Sequence, residues 1–423
     1  MRFEILSRRS CVPALSLAIA LSWSMTTVAG NWPSWRGPGL DGTAADGQYP
    51  VEWSAEKNIA WSLEMGGKSG STPVVWGDLV ILTTPIDGKN GVVALNREGK
   101  EQWRVTIGEE DPGKHRKASG TNPSPVTDGE RIFAYFKSGD FAALDMQGKI
   151  LWHQNLQEKY GEDTLWWDLG TSPVLTSEHV VVACMQTGPS YIAAFDKLTG
   201  KEVWKTDRET GAPEEAAQSY STPIVTMYEG QEQIVTLGAD FVTCHDAKTG
   251  KELWRVGTLN PGQERFFRSI ASPVITNGIV IAPYSRGQTL TAIRMGGSGD
   301  VTKSHVLWTK DVSADVPTPT AEDGKVYVCT DKGTVACLDA ESGEEVWSVM
   351  LEKNRNAYSS SPVLANGLLY LTREDGKTFV LDTKRKSVVS TNTVHEDTFT
   401  VSTPVLVDNS ILLRTFDRLY CIK

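Results

Sequence analysis

The chain has 423 residues, 40% of them hydrophobic and 22% charged, which fits a folded globular protein and excludes a disordered or collagen-like polymer. Its 42 basic and 52 acidic residues leave a formal charge of −10, which argues against a nucleic-acid binder with its basic stripe. Fourteen Trp and 38 Gly are many for this length, and both require a repeated structural use.

Residues 1–30 read as a cleavable secretory leader. Arg2, Arg8 and Arg9 form a basic start, and small residues close the segment at Val28-Ala29-Gly30. The apolar run between them, Val12 to Trp23, is 12 residues long. A membrane-spanning helix needs about 20, so a short N-terminal anchor is the weaker alternative. Ser7-Arg8-Arg9 is a faint pointer to the twin-arginine route. Cleavage removes three Arg and one Glu, which takes the charge from −10 to −12. No other stretch is apolar enough to span a membrane. The expected product is a soluble monomer, periplasmic or extracellular.

From residue 59 onward one unit recurs. A Ser/Thr-Pro step carries prolines at 73, 125, 173, 223, 273, 319, 362 and 404, spaced 42 to 52 residues apart. Two short β-patterned runs follow each step; Lys325 to Thr330 and Thr334 to Asp339, around Asp331-Lys332-Gly333, form such a hairpin. A third run then carries Trp four residues after Gly, as in Gly99 to Trp103, Gly148 to Trp152, Gly200 to Trp204, Gly250 to Trp254 and Gly343 to Trp347. Each unit is thus four antiparallel strands, the size of a propeller blade. The chain begins out of phase, with a Trp strand at 59–63, and ends with a blade lacking one. Strand 59–63 is therefore expected to complete the last blade and remove a sheet edge. The predicted fold is all-β: an eight-bladed propeller over 59–423, closed by its N-terminal strand, with segment 31–58 packed on it. Trp61, Trp103, Trp152, Trp204, Trp254, Trp308 and Trp347 are expected between neighbouring blades. In blade seven Val389 falls in the Trp slot and Arg385 in the Gly slot.

The Ser-Pro-Val entry, the hairpin ends Ala143-Leu144-Asp145 and Ala194-Phe195-Asp196, and Lys197-Leu198-Thr199-Gly200 resemble the repeats of pyrroloquinoline-quinone (PQQ) propellers. The opening Trp32-Pro-Ser-Trp35-Arg-Gly-Pro38 with Asp41-Gly42 resembles secreted bacterial members of that group described as similar to the assembly factor BamB. The resemblance implies two competing functions. BamB-like members lack a cofactor and bind protein partners. Quinoprotein dehydrogenases hold PQQ and Ca²⁺ on the axis and oxidise alcohols or sugars, many with an adjacent Cys-Cys pair over the quinone. This chain has no Cys-Cys pair. Cys11 precedes the apolar run, so it is no lipid-bearing Cys either. The expectation is a non-catalytic scaffold or ligand-binding module without a cofactor; a PQQ- and Ca-dependent dehydrogenase is the alternative.

Five Cys follow the leader: Cys184, Cys244, Cys329, Cys337 and Cys421. Cys244, Cys337 and Cys421 sit where other units have Ala143 and Ala194, so small buried residues are expected there. A disulfide between Cys329 and Cys337 is the minor alternative. The His residues show no ligand spacing, and no metal site is expected. Function is expected on the loops that lead into the Ser/Thr-Pro strands, because basic and aromatic residues gather there. The candidate ligand-binding residues are Lys117, Trp166, Trp167, Asp168, Arg265, Arg268, Arg355 and Tyr358. Lys117, Arg265, Arg268 and Arg355 are expected to crowd one end of the central channel. The ligand would be a protein or a small anionic or saccharide molecule, with blade capping as the bland reading of the aromatics.

Overall fold

A computed structural model describes residues 30–396 and 398–423; the expected leader through residue 29 lies outside them. The repeated runs pair into eight antiparallel sheets, seven of four strands and one of five. The out-of-phase ends meet as expected. Strand Ile59–Glu64 lies antiparallel to Arg418–Ile422, with Trp61 opposite Cys421 and Leu63 opposite Leu419.

The Ser/Thr-Pro step does more than start a strand. The amide of Thr72 donates to the Ser124 hydroxyl at 2.9 Å, Ser124 to Ser172 at 2.9 Å, Ser172 to Thr222 at 3.0 Å and Thr222 to Ser272 at 2.9 Å. Ser272 continues to Thr318 at 2.8 Å, Thr318 to Ser361 at 3.0 Å, Ser361 to Thr403 at 3.4 Å, and Thr403 returns to Thr72 at 3.1 Å. One hydroxyl per blade thus accepts one buried amide from its neighbour, and the eight bonds close a belt around the axis. The proline that follows has no N–H of its own to satisfy.

The Trp and Gly repeats form the outer seam. The Trp of one blade donates its indole N–H to the next: Trp61 to the Arg97 carbonyl at 2.8 Å, Trp152 to Lys197 at 3.0 Å and Trp308 to Ala340 at 2.9 Å. Trp103 and Trp204 do the same to Met146 and Ala247. Its ring lies on the glycine that opens the next Trp strand. A Cβ on Gly200 would stand 2.7 Å from Trp152 Cδ2, and φ there is +68°. Glycine is required both by the left-handed backbone and by the ring above it. Within each blade the Trp faces a small residue across the strands: Ala143 faces Trp152, Ala194 faces Trp204, and Cys244, Cys337 and Cys421 face Trp254, Trp347 and Trp61. All five cysteines are buried and free, and Cys329 pairs with Val335, not with Cys337.

Two blades depart from the pattern. In blade seven the spacing argument is off by one. Ser390 lies opposite Val380 in the Trp position, and Lys386, at φ +57°, takes the glycine's turn. The turn closes with the Lys386 N–H bonded to the Asp382 carbonyl, the same span as Gly200 to Asp196 in blade three, so Lys386 stands in the glycine position, Arg385 lies inside the turn and Val389 falls on the bulge. In blade four Trp254 is covered by an added fifth strand, Gly299–Asp300, parallel to Glu252–Val256.

Segment 31–58 crosses the face of the ring opposite the loops. Trp32 exchanges two 2.8 Å backbone bonds with Val75 in blade one. Arg36, 1% exposed, reaches the carbonyls of Pro362 at 2.8 Å and Pro319 at 2.9 Å in blades seven and six. A side chain on Gly42, at φ +81°, would overlap that guanidinium. The Trp-Arg-Gly and Asp-Gly elements of the opening motif therefore bridge the ring from one side to the other.

Candidate functional site

The belt lines a cavity of about 470 Å³ on the axis, open toward the loop face. Trp35 lines it as well. Its neighbour Arg36 binds carbonyls immediately past the belt residues Thr318 and Ser361, so Trp35 sits at the end away from the loops. The cavity is a well whose wall mixes the ring of hydroxyl-bearing belt residues with apolar Ile270, Val316, Ala357 and Val401, with an indole at its base and a charged mouth.

Four of the eight sequence candidates line this well: Lys117, Trp167, Asp168 and Arg268. Their charges are already engaged. Lys117 pairs with Glu374 from blade seven, whose carboxylate also accepts the Ser359 hydroxyl at 2.5 Å. Arg268 grips Asp315 with two nitrogens at 2.9 and 3.3 Å and lies 3.4 Å from Glu215. Asp168 accepts the amides of Lys114 and His115 at 2.9 and 3.0 Å and sits 3.4 Å from Lys137. It is a strut for the 114–122 loop, not a free acid. Trp167 donates to Glu215 at 2.6 Å and stands edge-on to His115 at 5.4 Å. Burial holds the His115 imidazole below its ordinary pKa, and Lys117 and Arg116 add to the effect.

The other four lie elsewhere. Arg265 points outward, its side chain 67% exposed, and pairs with Glu214 at 2.8 Å. Arg355 is exposed and away from the well. Trp166 is 49% exposed beside the mouth, and Tyr358 is buried against Phe379 with ring centroids 6.2 Å apart. The expected crowd of four cations is thus two, each neutralised internally. Loop position alone could not tell inward from outward, because the direction of a loop side chain is set by contacts with other loops, such as Arg265 with Glu214 and Arg268 with Asp315.

Sequence reasoning missed Trp35, Arg286 and Asp331. Arg286 lines the mouth from a left-handed turn, φ +54°, and has no ion-pair partner among the described residues. Asp331 accepts the amides of Asp315 at 2.7 Å and Val316 at 3.2 Å. Burial raises its pKa, and Asp315 adds to this. Both sit in the turn between second and third strands. Those turns also reach the mouth, and the charged Ser285-Arg-Gly287 and Asp331-Lys-Gly333 turns were the available signal.

A family model described as outer membrane protein assembly factor BamB matches residues 43–189, 188–300 and 298–418. The chain belongs to this BamB family. An assembly factor BamB of Moranella endobia is 33% identical over 105 residues, 23% of this chain and 26% of that one. The chain therefore aligns with about a quarter of that curated relative's length. The solved BamB of Moraxella catarrhalis shares the fold at TM-score 0.62 and 16% identity, over 86% of this chain and 96% of that one. A europium-containing methanol dehydrogenase gives 0.69 at 12% identity, over 90% and 89%. A quinohemoprotein alcohol dehydrogenase from Comamonas testosteroni gives 0.65 at 12%, over 93% and 80%. An assembly factor and dehydrogenases thus share this ring, so the fold does not separate them and the residues of the site must. In the BamB-family ring described here, no helix among the described residues is long and apolar enough to cross a membrane.

Proposed function

We propose that this is an exported, non-catalytic BamB-family scaffold that binds a protein partner through the loop face of blades three to five. The observation that carries the reading is an exposed aromatic edge. Trp166, Trp167 and Phe266 are 49%, 41% and 49% exposed. Their loops are tied together, since the Ala216 amide bonds the Arg265 carbonyl at 3.0 Å and Trp167 bonds Glu215 at 2.6 Å. Large aromatics held rigidly at a charged rim are what buried interface centres are built from, and they cost little side-chain entropy on binding. A photo-crosslinking residue at Phe266, in the exporting cell, should give one discrete adduct that Trp166→Ala with Trp167→Ala removes. The same residue at Leu198, on the opposite face, should give none. Equal adducts at both sites would reject the scaffold reading.

The quinoprotein reading has a less suitable donor set. Among the described residues no three His, Cys, Asp or Glu side chains come together as a metal site would require. The mouth carboxylates of Glu374, Asp315 and Asp168 are held by Lys117, Arg268 and backbone amides. The five cysteines are buried, none of them lining the mouth. These residues do not fit a quinone with its calcium. Titration with PQQ and Ca²⁺ should leave the absorption spectrum and dye reduction unchanged.

A further inference from the structure

Each belt hydroxyl accepts an amide proton with one lone pair and keeps its own O–H as a donor. Thr72 lies 3.4 Å from the Ser402 hydroxyl. For the other seven, no acceptor within hydrogen-bond reach is found among the described residues. All of them line the well. The well wall therefore carries a circle of unspent O–H donors around a cavity of about 470 Å³ with Trp35 at the end away from the loops, a size that suits a small organic ligand.

The chemistry of the occupant follows by elimination. The apolar wall residues accept C–H surface, but a wholly apolar ligand would cover the belt hydroxyls without offering them acceptors, at a cost for each. An anion needs uncompensated positive charge, but Lys117 and Arg268 are already matched by Glu374 and Asp315. Among the described residues Arg286 has no acid partner and Asp331, held by the Asp315 and Val316 amides, has no basic one, so the two unpaired charges that line the mouth oppose each other. What remains is a neutral molecule rich in oxygen acceptors, with a flat C–H face for Trp35 at the base and Trp167 at the rim. We propose that the axial well binds an uncharged saccharide, end-on, as a mono- or disaccharide or as the terminus of a longer glycan. This site is separate from the aromatic edge, apart from Trp167 at their shared rim.

The test titrates the intact protein with glucose, maltose, trehalose, N-acetylglucosamine, maltoheptaose and glucuronate, following Trp fluorescence and saturation-transfer NMR. At least one neutral sugar should bind saturably at one site. Trp35→Leu should weaken it roughly tenfold or more, and Trp166→Ala should leave it unchanged. Maltose displacing maltoheptaose would show recognition of a chain end, and maltose binding alone would show a free-sugar site; both support the proposal. Saturation-transfer signals from sugar protons in the unaltered protein give the result even if Trp35→Leu loosens the bridging segment. Three results overturn the proposal: no neutral sugar binds, glucuronate binds tighter than every neutral sugar, or Trp35→Leu leaves the affinity intact. Failure of Phe266 to give a discrete adduct in the otherwise unaltered protein, with sugar binding present, would reject the scaffold reading alone.

Discussion

The inter-blade seam makes a prediction that two glycines can isolate. Gly200 and Gly230 both have left-handed backbone, at φ +68° and +79°. A Cβ on Gly230 meets nothing within 4 Å, whereas one on Gly200 stands 2.7 Å from the Trp152 ring. Gly230→Ala should therefore cost only the backbone term, about 1 kcal/mol. Gly200→Ala should cost the same plus overpacking of about 1–3 kcal/mol, because Trp152 is held by its 3.0 Å bond to Lys197 and by Phe141 at 5.1 Å. Trp152→Ala itself should cost about 3 kcal/mol. In that background the obstruction is gone, and Gly200→Ala should fall back to about 1 kcal/mol, a coupling of about 2 kcal/mol. Urea unfolding of the four proteins of this cycle, with Gly230→Ala as reference, measures every quantity. Equal costs at Gly200 and Gly230, or a Gly200→Ala cost indifferent to Trp152, would refute the account of the seam.

The belt predicts that Ser172→Ala orphans the Ser124 amide and costs about 1–3 kcal/mol, while Thr222→Ser, which keeps the hydroxyl, costs far less; unchanged hydrogen-exchange protection of the Ser124 amide would contradict this. Closure predicts that a chain starting at residue 65 leaves the edge of Arg418–Ile422 unpaired and aggregates; a melting temperature equal to that of the longer chain would sink the model. Burial holds His245 at about 4, between the Gly250 carbonyl and the Thr243 hydroxyl. The unfolded imidazole titrates near 6.5 and takes up the proton first, so stability is full above that value and falls as pH drops toward 4. The loss should total about 3 kcal/mol, and His245→Gln should flatten the slope between pH 7 and 5; an unaltered slope would remove His245 as its cause.

The ring was legible because its signals are local and repeated. Gly-x-x-x-Trp fixes a turn and a ring position within five residues, and eight Ser/Thr-Pro steps set the blade count. The out-of-phase ends forced closure, since an unpaired edge is unstable and one partner strand was missing. Where the spacing failed, at Val389, the turn has its usual span but Lys386 replaces the glycine, and counting from glycine had no way to register an absent glycine. The belt was visible as a repeat of hydroxyl residues but not as a circuit, because each bond joins residues 42 to 52 positions apart, except the closing one.

The mouth was less legible for a physical reason. A strand's side-chain direction follows from alternation, but a loop's does not. Arg265 and Arg268 are three residues apart; the first points to solvent and pairs with Glu214, and the second is 8% exposed and clamps Asp315. Composition identified the loops as basic, yet the acids that cancel them come from other parts of the ring: Glu214, Glu215 and Asp315 from neighbouring loops of the same type, and Glu374 from a turn between second and third strands. Glu374 reaches Lys117 across 257 positions of sequence. The net field at the mouth is thus a tertiary property. It favours an uncharged ligand, where the loop sequences alone had left a protein, an anion and a saccharide open, and the glucuronate titration decides between the charged and the neutral sugar.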